Sequence, residues 1–402
     1  LKLQALAIAI CLSCLLVSKG ESKAVSAQLR QAQKQFDLAN YGKVFSLLEN
    51  DKSADAWILK GMAMLWMDSD TAGNFFGRAI AADPKSALAH AWEACYWLKA
   101  KHLRDARQEA EKALTLDSRC ADAHAILGRS LFKSGEATPG LAEMNKAVEL
   151  DPKSLLAHSY LSDSYAEQLN AKKSEAELNK LIELHPDMPI IHVWRAELYR
   201  ALGDPRALKE YDRAIQMNPQ YDYAHLQRAD LLMQKNDDKR AEADLVRPLA
   251  ASNLEELHAK MLHIRVRCFQ HLGEYKNAVD DLNVLLKNVD RLATLEAGWI
   301  RVGLLDRAQD YLKLKDYKNA LSSVRTLQHF EPHSSEALAL TGKIHLASGQ
   351  YKDALNDYNN LIAVDDSIPA WYRDRAEIFK KLGQADAARR DLDKAKQLES
   401  GM

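Results

Sequence analysis

Apolar residues recur along this chain at i, i+4 and i+7, the spacing that lines one face of a helix. The triplets Ala72/Phe76/Ala79, Ala106/Ala110/Ala113, Ala207/Tyr211/Ala214, Ala278/Leu282/Leu285, Ala354/Tyr358/Leu361 and Ala388/Leu392/Ala395 share it. A closing slot follows such helices at Asp83-Pro84, Asp117-Ser118, Asp151-Pro152, His185-Pro186, Asn218-Pro219, Glu331-Pro332 and Asp365-Asp366. Pro152 and Pro186 stand 34 residues apart, and that interval sets the phase of the other slots. A second apolar helix, marked by Leu127-Gly128, Thr341-Gly342 or Arg375-Ala376, lies upstream of each triplet. The pattern predicts two short helices and a turn per unit, and a period of this size means stacked units that share one elongated core.

In register, full units start near Ala54, Ala87, Ala121, Leu155, Pro189, Asp222, Ala259, Arg301, Ser335 and Pro369, with a shortened unit over 24–52. These residues resemble the tetratricopeptide-repeat family, whose pattern places Leu-Gly in the first helix and Ala, aromatic, Ala and a terminal Pro in the second. The unit from Ala121 to Ser154 matches it best, through Leu127, Gly128, Gly135, Ala147 and Pro152. The resemblance implies an all-α fold, a right-handed α-solenoid of tandem helix-turn-helix units. It runs over nearly the whole chain after residue 24, which explains how so long a chain avoids division into globular domains.

Two departures punctuate the array. Pro248 falls inside a second helix, where its missing N–H and its ring break or kink the helix. Nine residues from Leu292 to Ile300 separate two later units. A bend is therefore expected near 246–258, dividing an N-terminal arm over 25–255 from a C-terminal arm over 256–402. Ahead of both arms, Lys2 precedes an apolar run from Leu3 to Val17, followed by small residues at Ser18/Gly20 and Ser22/Ala24. A charged start, a short apolar run and a small-residue site predict a signal peptide over 1–24, or else a membrane anchor, since a span needs about 20 apolar residues. An exported protein follows: periplasmic, secreted or membrane-associated.

Composition removes several functions. The 55 basic and 56 acidic side chains give a net charge of -1, without the basic excess that nucleic acid requires. With Cys11 and Cys14 removed in the leader, the remaining Cys95, Cys120 and Cys268 are too few and too scattered for a disulfide framework or a zinc ribbon, and read as small buried side chains. His90, His124, His158, His192 and His225 occupy the same slot in five consecutive units. They read as packing residues, because rungs separated by packed helices are poorly placed to share one metal. His329 and His333 flank Pro332 and form no metalloprotease helix. No Walker loop, dinucleotide fingerprint or nucleophile elbow occurs. No catalytic residue, metal or cofactor is assigned.

Function then rests on the groove. In the resembled family the first helices line the concave surface, and ligand-facing side chains come from fixed places on them. Carried over, those places hold Asp163 and Glu167, Glu197 with Arg200, and Asp230; then Lys260, His263, Arg267, Gln270 and His271; then Gln309, Lys313 and Lys343. The lining changes from acidic to basic near the expected bend. The resemblance implies a non-catalytic scaffold or adaptor that binds a protein or peptide, and the basic stripe favours an acidic one. Two other readings compete with it: a substrate-binding subunit of a cell-envelope enzyme or assembly, and a solenoid that self-assembles. Nucleic acid is excluded as a partner, and a membrane enters only through the N-terminal segment.

Overall fold

The computed structural model describes residues 26–67, 71–251, 255–287 and 297–400. The expected leader, and most of the inserted segment ending at Ile300, lie outside the described residues. Twenty-two helices are described, from Ala27–Asp37 to Ala385–Ser400, and they form an all-α solenoid. Eight first helices begin at the expected residues, among them Ala87–Lys99, Ala121–Lys133 and Leu155–Glu167. The exceptions are Glu255–Leu272 and Ala297–Lys313, which start four residues before Ala259 and Arg301. No helix among the described residues is long and apolar enough to cross a membrane.

The helices stop and start for local reasons. Ser53, Ser86, Ser154 and Ser334 cap first helices, each hydroxyl accepting the backbone N–H three residues on, at 3.1 to 3.3 Å. Such caps satisfy one of the four N–H groups that a helix start leaves unpaired. The turn to the second helix places one residue in the left-handed region, Gly135, Gly203, Gly273, Gly349 or Gly383. The same slot is filled by Lys101, Leu169, Asn236 and Lys315, where a side chain makes that conformation costly. In the unit from Ala121, the Gly135 and Glu136 N–H groups close the turn on Phe132 and Leu131 carbonyls at 3.1 and 3.0 Å, a helix-ending pattern of the Schellman kind.

The apolar triplets form the core. Ala72, Phe76, Ala79, Ala110, Tyr211 and Tyr358 are fully buried, while Leu285 and Leu392 of the later triplets are half-buried. Gly128 and Gly140 let two helices touch backbone to backbone, since a Cβ on either would lie 2.6 Å from the other's carbonyl oxygen. Two compact units result. One comprises the residues up to Gln234 with Val246–His258, and the other Lys235–Leu245 with Ala259 onward. In the first unit one core runs from Leu29 to Leu231. In the second, clusters such as Leu304/Ala320/Leu327/Ile344 and Ala354/Tyr358/Ile378 follow the repeats. The helix Asp238–Ala251 continues through Pro248. Pro248 lies in the last turn, so the ring removes one hydrogen bond near an end that would fray anyway.

Within the first unit the chain also returns on itself. The Asn218 side-chain amide donates to the Leu38 carbonyl at 2.7 Å, across 180 residues. The ring of Tyr41 meets that of Tyr221 edge-on, 6.4 Å between centroids. The N-terminal helix pair, Ala27–Asp37 and Tyr41–Leu47, is thereby docked against the turn before Asp222.

Candidate functional site

The histidine ladder is a row of histidine–glutamate contacts. The fourth residue of each first helix directs Nδ1 at a glutamate on the following helix: His90 to Glu109 at 2.8 Å, His124 to Glu143 at 2.6 Å, His158 to Glu177 at 2.6 Å and His192 to Glu210 at 2.9 Å. In the first three, Nε2 faces the carbonyl of Pro84, Ser118 or Pro152 at 3.1 to 3.3 Å. A carbonyl only accepts, and so does an ionised carboxylate. In these three rungs each ring nitrogen thus faces an oxygen, the carboxylate on one side and the carbonyl on the other. These four histidines are buried. His90, Glu93 and Glu109 have ligand-capable atoms within 4.8 Å of one another, and Lys112 lies 3.8 Å from Glu109.

A second ladder was not foreseen. Arg265 and Arg375, each the seventh residue of its unit, form paired hydrogen bonds to Asp281 and Asp391 at 2.6 to 2.8 Å. Arg195 does the same to Glu210, with both contacts at 2.9 Å. Burial pushes the Glu210 carboxyl up, but the hydrogen bonds from His192 and Arg195 outweigh it and hold it low. The Arg-to-Asp interval of 16 recurs in the sequence, yet nothing marks it as a contact until the helices are packed.

The acidic places expected to face a ligand are largely consumed by the fold. Asp163 is buried, 3.8 Å from Arg129, and burial pushes its carboxyl well above the usual range. Arg129 also donates to Ser164 at 3.0 Å and to Glu167, and Lys133 reaches Glu167 at 2.7 Å. Arg200 pairs with Asp230 in the next unit, and Glu197 accepts the Tyr211 hydroxyl. Asp163 and Glu197 thus turn inward, where they tie helices to one another. Stacking brings an arginine of the neighbouring repeat to Asp163, Glu167 and Asp230, while Glu197 is held within its own repeat by Tyr211.

The basic places differ. Lys260 and His263 are half-buried on the helix Glu255–Leu272, and Gln270 donates to Asp310 at 2.9 Å. Burial pushes Asp310 up to about 6, against that bond. His271 is exposed and meets Asp238 at 3.1 Å. Arg267, Gln309, Lys313 and Lys343 are exposed. Lys343 lies 3.9 Å from Asp374, a contact open to solvent. Arg267, Gln309 and Lys343 are the ninth residues of three consecutive units, so one slot stays open along the second compact unit. In the first, Arg129 and Asp163 bury it.

Cys95, Cys120 and Cys268 are free and buried. Burial pushes each thiol up to about 12, far from the thiolate that reactivity needs.

Residues 93–154 and 340–401 match a family model described as "Tetratricopeptide repeat". No curated protein matches the sequence. Among solved structures, the chain is similar to a thermophilic TPR protein of Thermus thermophilus, at 22% identity over 45% of this chain and 99% of that one, TM-score 0.39. It is similar to a tetratricopeptide repeat protein of Parabacteroides merdae, at 16% identity over 69% and 98%, TM-score 0.39. PilF of Pseudomonas aeruginosa aligns at 18% identity over 54% and 96%, TM-score 0.40. The two matched segments and the helix-pair geometry seen throughout the described residues support a protein of the tetratricopeptide-repeat family.

Proposed function

We propose that this protein is a non-catalytic scaffold that binds an extended peptide or partner protein, and that the partner is acidic. One observation carries the reading: Arg267, Gln309 and Lys343 occupy the same first-helix slot in three consecutive units and remain exposed, while the equivalent slots in the other compact unit are consumed by ion pairs. Two exposed cations, Arg267 and Lys343, flanking the neutral Gln309 in the same helix slot suit a chain that runs along the array and presents carboxylates. Lys313, on the same helix as Gln309, adds to that charge. His271, Lys260, His263 and Gln270 lie in the same repeat as Arg267 and shape its surroundings. We assign the protein to an exported location on the charged start and apolar run of residues 2–17.

The test is a titration of the protein with fluorescein-labelled extended peptides of graded net charge. Acidic peptides should bind, and the double variant Arg267→Glu/Lys343→Glu should lose about tenfold in affinity, within the range for two solvent-exposed ion pairs. Equal binding by acidic and basic peptides, or by both proteins, would overturn the assignment.

A further inference from the structure

The two ladders meet in the unit from Ala87, and there the charge of one rung is reversed. In later units the seventh residue is a cation: Arg195, Arg265 and Arg375 each hold an acid 15 or 16 residues on, Glu210, Asp281 or Asp391. In the unit from Ala87 the seventh residue is Glu93, and the residue 16 positions on is Glu109. An acid therefore stands where those units carry a guanidinium, and it lies beside a second acid. Two carboxylates this close repel unless a cation or a proton lies between them.

The histidine of the first ladder completes the set. His90 is 1% exposed, with Nδ1 at 2.8 Å from Glu109 Oε2 and Nε2 at 3.3 Å from the Pro84 carbonyl. A carbonyl only accepts, so a neutral ring with its proton on Nε2 turns the Nδ1 lone pair toward the carboxylates. A histidine that serves a metal is held in this way, its far N–H anchored on a carbonyl that fixes ring and tautomer. Ligand-capable atoms of His90, Glu93 and Glu109 lie within 4.8 Å of one another. Tetrahedral bonds of about 2.0 Å set donors roughly 3.3 Å apart, and the two half-buried glutamates can close that difference by side-chain rotation. Lys112 reaches Glu109 only at 3.8 Å, from a side chain 54% exposed, and so open a pair contributes little.

The neighbouring rungs lack the third donor. Leu127 and Leu161 hold the seventh place beside the pairs His124 with Glu143 and His158 with Glu177. Beside His192 that place belongs to Arg195, whose guanidinium already holds Glu210.

We propose that His90, Glu93 and Glu109 form a binding site for one divalent transition-metal ion of the zinc type, with water in the remaining position. The imidazole disfavours Mg²⁺ and Ca²⁺, which take oxygen ligands, and three protein donors with one open position suit Zn²⁺. The ion ties the helix Ala87–Lys99 to the helix Leu103–Leu116. It lies within one unit, so the separation between rungs sets no limit on it.

The experiment titrates the full chain with Zn²⁺ by calorimetry in excess Mg²⁺, and follows thermal unfolding with and without Zn²⁺. The wild type should show one tight step of one ion per chain and a raised unfolding midpoint. Glu93→Leu, which copies the seventh residue of the next two units, should keep the fold and weaken that step at least tenfold, since even the groups behind a ligand are worth about 10–100-fold. No tight step in the wild type, a step that excess Mg²⁺ abolishes, or a step unchanged in Glu93→Leu would overturn the proposal. Should Glu93→Leu fail to fold, the isosteric Glu93→Gln decides by the same titration.

Discussion

The side-chain amide of Asn218 donates to the carbonyl of Leu38 and so joins the turn before the helix Asp222–Gln234 to the end of the first described helix. Its Oδ1 meanwhile accepts the Gln220 N–H at 2.9 Å. One residue therefore shapes its own turn and anchors a helix pair 180 positions away. Asn218→Ala should lower stability by about 1–3 kcal/mol, since it removes both bonds and leaves a buried carbonyl unpaired. Hydrogen exchange localises the effect. Amides of Ala27–Asp37 should lose protection first, and uniform loss across the chain would contradict the anchoring role.

Gly128 and Gly140 test the closest packing in the array. The obstacle to a methyl group is backbone, at 2.6 Å, which cannot move aside as a side-chain tip can. Gly128→Ala should cost about 1–3 kcal/mol by overpacking. Denaturant unfolding of this variant, set beside Gly77→Ala where a Cβ meets nothing within 4 Å, separates crowding from the general effect of replacing a helical glycine. A neutral Gly128→Ala would show that the two helices do not meet backbone to backbone.

Leu169 holds φ at +60° in the slot that Gly135 and Gly203 fill elsewhere, and its side chain is 89% exposed. Little packing is lost on removing it, while the left-handed conformation costs a branched residue about 1–2 kcal/mol. Leu169→Gly should raise stability by roughly 0.5–1 kcal/mol after the larger unfolded-state entropy of glycine is counted. Gly135→Ala should move the opposite way by a similar amount. Thermal or urea unfolding measures both.

Asp122 gives the chain a pH dependence of known sign. Burial, reinforced by the charge of Asp151, pushes its carboxyl from 3.8 up to about 7. The folded state therefore binds the proton more tightly than the unfolded state. Its contribution to stability is fully present below about pH 4 and is lost as pH rises toward 7 and beyond. Asp122→Asn should be less sensitive over that interval and should exceed the wild type at pH 8 by up to about 4 kcal/mol. The check is urea unfolding of both proteins at pH 4, 6 and 8. A difference that stays constant with pH would mean that Asp122 ionises without penalty.

Much of the fold was legible because each repeat must bury the same face. The triplets fell in the core, and eight first helices began where the register placed them. Pro248 stands in the last turn of its helix, with only Leu249, Ala250 and Ala251 after it. The surface was harder to read. The register names the side chains that leave the first helix on one face, but it is blind to what the next repeat brings opposite them. Arg129 and Arg200 come from neighbouring units to claim Asp163, Glu167 and Asp230. The histidine slot was visible, and its partner was written in the sequence as a glutamate 19 residues on, at Glu109, Glu143 and Glu177. Only packing shows that this interval is a contact.

The measurement closest to the central claim is site-specific photo-crosslinking with the acidic peptide that binds best. A benzophenone amino acid is placed at Gln309, between Arg267 and Lys343 along the open slot, and separately at the exposed Lys352 on the second helix Tyr351–Val364. The scaffold account predicts peptide adducts at Gln309 that disappear in the Arg267→Glu/Lys343→Glu background, with none at Lys352. Adducts at Lys352, or adducts at Gln309 that survive the charge reversal, would contradict it.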